Sequence, residues 1–457
     1  MPSRRRALAL EPRPALLQAE VSPTAADAAI VPLRGCGRIS RTELPNGIRI
    51  LTEAMPGVAS VAIGLWVESG SRHEQPAQSG LSHFIEHLFF KGTARRSAAQ
   101  IAEEIDAVGG VLNADTDREF TCYYAKVLGE HASLAIDLLA DIFLASQFDP
   151  DEIAREKEVV LEEIAQIEDT PDDLVHDLFH QDYWAGHPLG LPVCGTRATV
   201  ELFDRDACLG LLAARYRPNR IVVTAAGQLA HAVLVEEIAG RFGHLTGAVP
   251  LGDGVPPVAH GGVTVYERKL AQVQLCLGTR GVAVTDPERD AATVLNAALG
   301  DSPSSRLFQE VRERRGRAYS IDSFVSAYRD AGYIGVAVGT RARWVCEVIE
   351  TVLVELKRIR REGLGVRDLE RAQGKLRGTL LLGLETSDQR MERLALNEMY
   401  FGRELSADEI ATRIDAVTND RIVALAERLF VAEGCALVLL GNLRGAAPDA
   451  SVFGALG

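Results

Sequence analysis

The sequence predicts an α+β fold built from two homologous sheet-plus-helix domains. Three observations carry that expectation. Strand-like and helix-like patterns alternate along the chain, one helix–strand unit recurs at a fixed offset, and a glycine- and proline-rich stretch separates the two copies. At 457 residues, 47% of them hydrophobic and 25% charged, the chain is long enough for more than one core and has an ordinary globular balance.

Residues 1–38 open on Met1-Pro-Ser-Arg-Arg-Arg, lack a sustained apolar core and a cleavage-site pattern, and carry Glu11 and Glu20. A disordered N-terminal extension is expected there, with a mitochondrial transit peptide as the alternative. The first domain is expected over 39–245. Its segments 48–52 and 58–67 are rich in β-branched residues and read as strands, and 120–127 alternates as a strand. Residues 130–145 then read as an amphipathic helix.

Between the strands lies Gly80-Leu-Ser-His83-Phe-Ile-Glu86-His87, an H-x-x-E-H pattern. On a helix, His83 and His87 stand one turn apart and can grip one zinc ion, while Glu86 on the same face can act as general base on a water. An amphipathic helix with two incidental histidines fits those five residues as well. A third ligand decides, because a catalytic zinc keeps three protein ligands and one open position.

The segment 149–168 opens with Asp149-Pro150, a helix start signal, and carries an apolar stripe of Ile153, Val160, Ile164 and Ile167. Glu156 and Glu163 fall on or at the edge of that stripe, whereas Glu158 and Glu162 point away. Two carboxylates along an apolar face are costly without a compensating cation. This favours Glu163 as third ligand and Glu156 as a helper carboxylate, over a reading as helix-edge glutamates in an acidic chain.

A linker is expected at 246–262, followed by a second domain at 263–447 and a tail at 448–457. In the second domain 272–278 and 333–338 read as strands and 289–299 as a helix. The pattern Asp206–Tyr216 followed by Ile221–Leu229 recurs as Asp420–Phe430 followed by Cys435–Leu443, at an offset of 214. Near the glutamate helix the offset is 216, which carries Glu156 and Glu163 to Ala372 and Thr379, and no histidine follows His260. The second half repeats the fold without the metal chemistry.

Other features exclude or compete. A formal net charge of −14 argues against nucleic-acid binding, and no apolar stretch is long enough for a transmembrane segment. Seven scattered cysteines without a C-x-x-C pattern read as buried free thiols of a reducing compartment. His176 and His180 form a second i, i+4 pair, but no glutamate on a recognisable partner helix joins them, which favours a packing or surface role. The acids Glu168, Asp169, Asp172, Asp173 and Asp177 either favour a basic substrate residue or mark a solvated helix start.

The set His83, Glu86, His87 and, after 75 intervening residues, Glu163 resembles the pitrilysin/insulinase family of inverted zinc metallopeptidases, which includes mitochondrial processing peptidase. The stretches 109–114 and 119–125 resemble its substrate-holding edge strand, and His187-Pro-Leu-Gly190 resembles its loop after the second zinc helix. Ser305-Arg-Leu-Phe308 and 312–320 resemble the signature of its second domain. The family's second-half glycine stretch appears here as Leu299-Gly-Asp-Ser-Pro-Ser-Ser305, without the long glycine loop of a noncatalytic subunit.

The resemblance implies a zinc metalloendopeptidase with one Zn(2+) per chain that hydrolyses peptides or presequence-like unfolded segments. Its two domains would form half of a clamshell chamber. It implies that Asn113 and Ala114 bind substrate through the strand backbone, and that Arg312 and Tyr319 meet the substrate or a developing oxyanion from the second domain. A helix-end arginine and a tyrosine packed on the sheet is the structural alternative for that pair. A homodimer is expected, or a heterodimer with a noncatalytic homologue. A bacterial cytoplasmic location is expected, with the mitochondrial matrix as the alternative. The rival function is a structural or assembly subunit that kept the fold and lost activity.

Overall fold

The computed structural model describes residues 37–250, 254–443, 445 and 447–456. The expectation of a disordered extension therefore falls, up to residue 36, outside the described residues. The fold mixes helices with strands, and the strands form two sheets with the same plan. The first contains β1 (Ile39–Glu43), β2 (Arg49–Ala54), β3 (Ser60–Val67), β4 (Val111–Thr116), β5 (Thr121–Leu128) and β6 (Ile221–Gly227), in the order β1-β2-β6-β3-β5-β4. The second contains β7 (Gly262–Tyr266), β8 (Val273–Arg280), β9 (Ala318–Ala327), β10 (Gly332–Thr340) and β11 (Ala436–Leu440), in the order β7-β11-β8-β10-β9. In each sheet one pair is parallel, β2 with β6 and β7 with β11, and the other pairs are antiparallel. Apart from the added β1, the second sheet repeats the first strand for strand.

The helices repeat as well. The offset of 216 carries Pro150 and Pro171, which open helices Pro150–Asp169 and Pro171–Tyr183, to Val366 and Ser387, which open helices Val366–Gly383 and Ser387–Phe401. The site Ala372, predicted to replace Glu156, is a buried apolar position of the copy.

What the sequence did not disclose is an exchange between the halves. Helix Pro171–Tyr183 packs its Leu174, Val175, Phe179 and Tyr183 against Cys276, Tyr333 and Val438 of the second sheet. Helix Ser387–Phe401 returns the favour of geometry, packing Met391, Leu394, Ala395 and Met399 against Ala62, Trp66 and Val222 of the first. Both faces of each sheet are thereby covered, one by its own helices and one by a helix from the other half. A polar network runs across the same junction: Arg72 pairs with Asp330 at 2.8 Å, and Glu119 accepts from the Tyr400 hydroxyl at 2.7 Å and from the Arg329 backbone N–H at 3.1 Å.

Two boundaries drawn from sequence shift. Strand β7 begins at Gly262, the last residue of the expected linker. Residues set apart as a tail form a 3-10 helix, Ala450–Leu456, with Phe453 and Leu456 buried in the second core and the Leu456 carbonyl held by Arg360 at 2.7 Å. Its short length and polar start hid two apolar anchors. Of the cysteines expected to be buried, Cys122, Cys208, Cys276 and Cys435 are, whereas Cys346 is exposed.

Candidate active site

Helix Leu81–Phe89 carries the H-x-x-E-H residues and buries Leu81, Phe84, Ile85 and Leu88 in the first core, leaving His83, Glu86 and His87 on the opposite arc. It packs beside helix Pro150–Asp169, which the Asp149 carboxylate caps by accepting the Asp151 N–H at 2.8 Å. Ile153, Val160 and Ile164 bury that second helix, and the same packing turns Glu156 and Glu163 toward the histidines.

Three donor atoms converge. His83 Nε2 and His87 Nε2 lie 3.3 Å apart, and Glu163 Oε2 lies 3.7 Å from the first and 3.6 Å from the second. A tetrahedral zinc with ligand distances of about 2.0–2.2 Å needs donor separations of about 3.3–3.6 Å, so this triangle fits the ion with a shift of about 0.1 Å. The Glu156 carboxylate accepts from His87 Nδ1 at 3.2 Å and pairs with Lys91 at 2.7 Å. With the ring proton on Nδ1, the Nε2 lone pair of His87 faces the triangle. Burial, and then the neighbouring His87, pushes His83 down to about 4, so its lone pair is free at neutral pH.

Glu86 lies at the margin of the triangle and accepts a hydrogen bond from the Thr116 hydroxyl on β4. Desolvation raises its pKa, partly offset by the Thr116 bond and the His87 charge, while Asp115 and Glu163 add to the rise. A carboxylate raised in this way is a better proton acceptor than one in water. The strand that holds it, β4, is the edge of its sheet, and Asn113 and Ala114 lie on it opposite Tyr124 and Tyr123. One line of β4 backbone groups thus has no neighbouring strand among the described residues, and Thr116 at the end of β4 reaches Glu86.

The remaining expected residues separate from this cluster. Glu156, expected as a helper carboxylate with a catalytic part, touches the triangle through His87. Arg312 stacks over Phe308 at 4.7 Å and Tyr319 at 5.3 Å, and its nearest acid is Glu313 at 3.8 Å, so this pair is built within the second half. Arg312 sits in a π-helix, Phe308–Arg314, a form that concentrates at functional sites. His180 is buried, with Nδ1 on the His176 carbonyl at 2.9 Å and Nε2 at 3.3 Å from the Tyr328 and Tyr333 hydroxyls, and His176 meets the Phe324 ring at 5.1 Å. That pair serves the helix exchange.

Two residues near the site escaped the sequence reading. The Cys194 sulfur lies within 4.8 Å of the His83 and Glu163 donor atoms. Burial, with the charges of Glu163, Asp177 and Glu86, pushes its thiol up to about 12. Glu74 accepts from the backbone N–H groups of Gly80 at 2.8 Å and Ser82 at 2.6 Å, at the start of the histidine helix. No periodicity links either residue to the motif; a glutamate one residue after a histidine in a loop gave no signal.

Comparison with known proteins agrees with this architecture. Residues 49–197 match the family described as Insulinase (Peptidase family M16), and residues 203–376 match the description Peptidase M16 inactive domain. The chain is 41% identical over 408 residues to YmxG of Bacillus subtilis, named an uncharacterized zinc protease, covering 89% of this chain and 99% of that protein. It is 42% identical over 401 residues to an uncharacterized zinc protease of Streptomyces coelicolor, covering 86% and 87%. Among solved structures, a protease from Helicobacter pylori superposes with a TM-score of 0.82 at 19% identity, over 89% of this chain and all 100% of that one. The peptidase M16 inactive domain from Pseudomonas fluorescens gives 0.83 at 18%, over 88% and 98%, and both likenesses speak to fold alone. With both halves matched in order and relatives of this identity covered nearly end to end, the chain belongs to the insulinase, or pitrilysin, family, peptidase family M16.

Proposed function

We propose that this chain is a zinc-dependent metalloendopeptidase that hydrolyses peptides or presequence-like unfolded segments inside an enclosed chamber. The observation that carries the proposal is the donor triangle of His83, His87 and Glu163, with edges of 3.3, 3.6 and 3.7 Å, beside a Glu86 carboxylate of raised pKa. His83, His87 and Glu163 would hold one Zn(2+), which when bound would supply Lewis acidity for the scissile carbonyl and for water. Glu86 takes the proton of the attacking water and hands it to the leaving amine, with the Thr116 hydroxyl fixing its Oε2. Glu156 acts as a positioning residue that holds the His87 tautomer.

The substrate adds as a strand to the free edge of β4 at Asn113 and Ala114, held by backbone hydrogen bonds, so side-chain specificity is broad. Arg312 and Tyr319 donate to the developing oxyanion of the substrate. Glu86→Gln tests the assignment: zinc content of one per chain should persist while cleavage of a quenched peptide falls by at least about a thousandfold, of the order expected when a general base and the charge it carries are both lost. Full activity in that variant would refute Glu86 as the base. A chain that holds no zinc and cleaves no peptide would favour the structural-subunit reading.

A further inference from the structure

The histidine helix cannot cap itself. Its N-cap is Gly80, with φ of 93° and no side chain, and a Cβ there would stand 2.6 Å from the Cys194 carbonyl oxygen and from Gly195 Cα. Only glycine fits, so the first N–H groups of this helix need an acceptor from elsewhere. Glu74, 2% exposed, supplies both of its oxygens: Oε2 to the Gly80 N–H at 2.8 Å and Oε1 to the Ser82 N–H at 2.6 Å. The helix is only 9 residues long, and His83 follows Ser82 directly. A small rotation or slide of its first turn would therefore open the donor triangle.

We infer that Glu74 is a positioning residue for the metal-binding helix: its bidentate carboxylate fixes the register in which His83, Glu86 and His87 face Glu163. The inference rests on the reading of those residues as a metal site. A buried carboxylate is a costly way to cap a helix, and desolvation pushes this one up to about 7 against the pull of the two N–H groups. A neutral glutamine would match its shape but accept only one of the two N–H groups, turning a donor toward the other. The carboxylate is thus specified by the need to hold both.

The test compares the wild type with Glu74→Gln and Glu74→Asp, whose shorter stem reaches one N–H only. Zinc affinity is read by competition with a chelating dye, ligand geometry by the visible spectrum of the Co(II)-loaded protein, and kcat and KM on a quenched peptide. Glu74→Gln should bind zinc about tenfold more weakly, change the Co(II) spectrum and lower kcat about tenfold with KM within twofold. Glu74→Asp should lose less of each.

Zinc affinity, spectrum and kcat all within twofold of wild type would overturn the inference. Where the variants do not fold, amide exchange on the unmodified, metal-free chain decides. First-turn amides ordinarily exchange fast, so slow exchange at Gly80 and Ser82 supports the cap and fast exchange overturns it. A wild type that binds no zinc while those amides are protected would instead refute the metal-site reading, and this inference with it.

Discussion

At the scale of residues, the site is a set of carboxylates and imidazoles whose neighbours decide what each can do. The approach of Glu163 to His83 and His87 was legible because helical periodicity put it on or at the edge of the stripe that faces the histidine helix. Glu156 was legible as its companion, but not its exact partner, since periodicity gives a face and not a contact. The contact predicts its effect: Glu156→Ala leaves the His87 Nδ1–H and Lys91 without their acceptor, so zinc affinity should fall about 10- to 100-fold in a chelator competition, with helix content unchanged. Affinity equal to wild type would show that His87 needs no such partner. His180 predicts a pH effect of known sign. Burial and the nearby Arg118 push it down from 6.5 to about 3, so it folds uncharged. A folded value below the unfolded one gives stability that is complete above about pH 6.5 and is lost as pH falls toward 3, by up to about 1.4 kcal/mol per pH unit. In His180→Phe the slope of unfolding free energy between about pH 6 and 4 should flatten by up to that amount; groups common to both proteins cancel, and parallel slopes would exclude His180 as the source.

At the scale of elements, the duplication was visible in sequence and the helix exchange was not, for one physical reason. An apolar stripe states that a helix is buried on one side without naming the sheet that buries it, and sequential neighbours are the ordinary guess. The exchange does leave a mark that only the structure makes readable. Gly278 on β8 lies under the ring of Phe179, where an added Cβ would stand 2.2 Å from Cζ. On β3, Gly64 lies under Met391 of the other exchanged helix, where an added Cβ would stand 3.0 Å from its Sδ and 2.6 Å from Trp66 Nε1. Each sheet thus keeps a glycine on the face that the incoming helix approaches, Gly64 opposite Thr224 and Gly278 opposite Ala436. Gly278→Ala should cost about 1–3 kcal/mol through overpacking against an immobile ring, read as a lower urea midpoint at unchanged slope. Adding Phe179→Leu should recover part of that loss, because the clash and its relief share one contact. A double variant less stable than both single ones by their full sum would show that the ring and the glycine do not meet.

At the scale of the whole molecule, the two halves differ in what they offer a substrate. The first has the donor triangle, Glu86 and the free edge of β4; the second has Arg312 stacked on Phe308 and Tyr319, with Tyr319 77% exposed. That stack presents a guanidinium and a phenol outward from an element whose contacts within the chain are local, as a group poised to meet something beyond its own half would be. Two such halves per chain supply half of the four-domain chamber that we propose, and a second copy supplies the rest. In such a homodimer the second half of one chain would face the donor triangle of the other, so that each active site would draw on both chains. Glu86→Gln then disables the base of its own triangle, and Arg312→Ala with Tyr319→Ala disables the site across the interface. Homodimers of either variant should be inactive or nearly so. Mixed dimers should carry one site with both defects and one with neither, and regain up to about half of wild-type activity per mixed dimer, measured on tandem-tagged dimers purified away from the parents. Mixed dimers that form and stay inactive would show that Arg312 and Tyr319 serve the triangle of their own chain, and would remove the reason for a second copy at the active site.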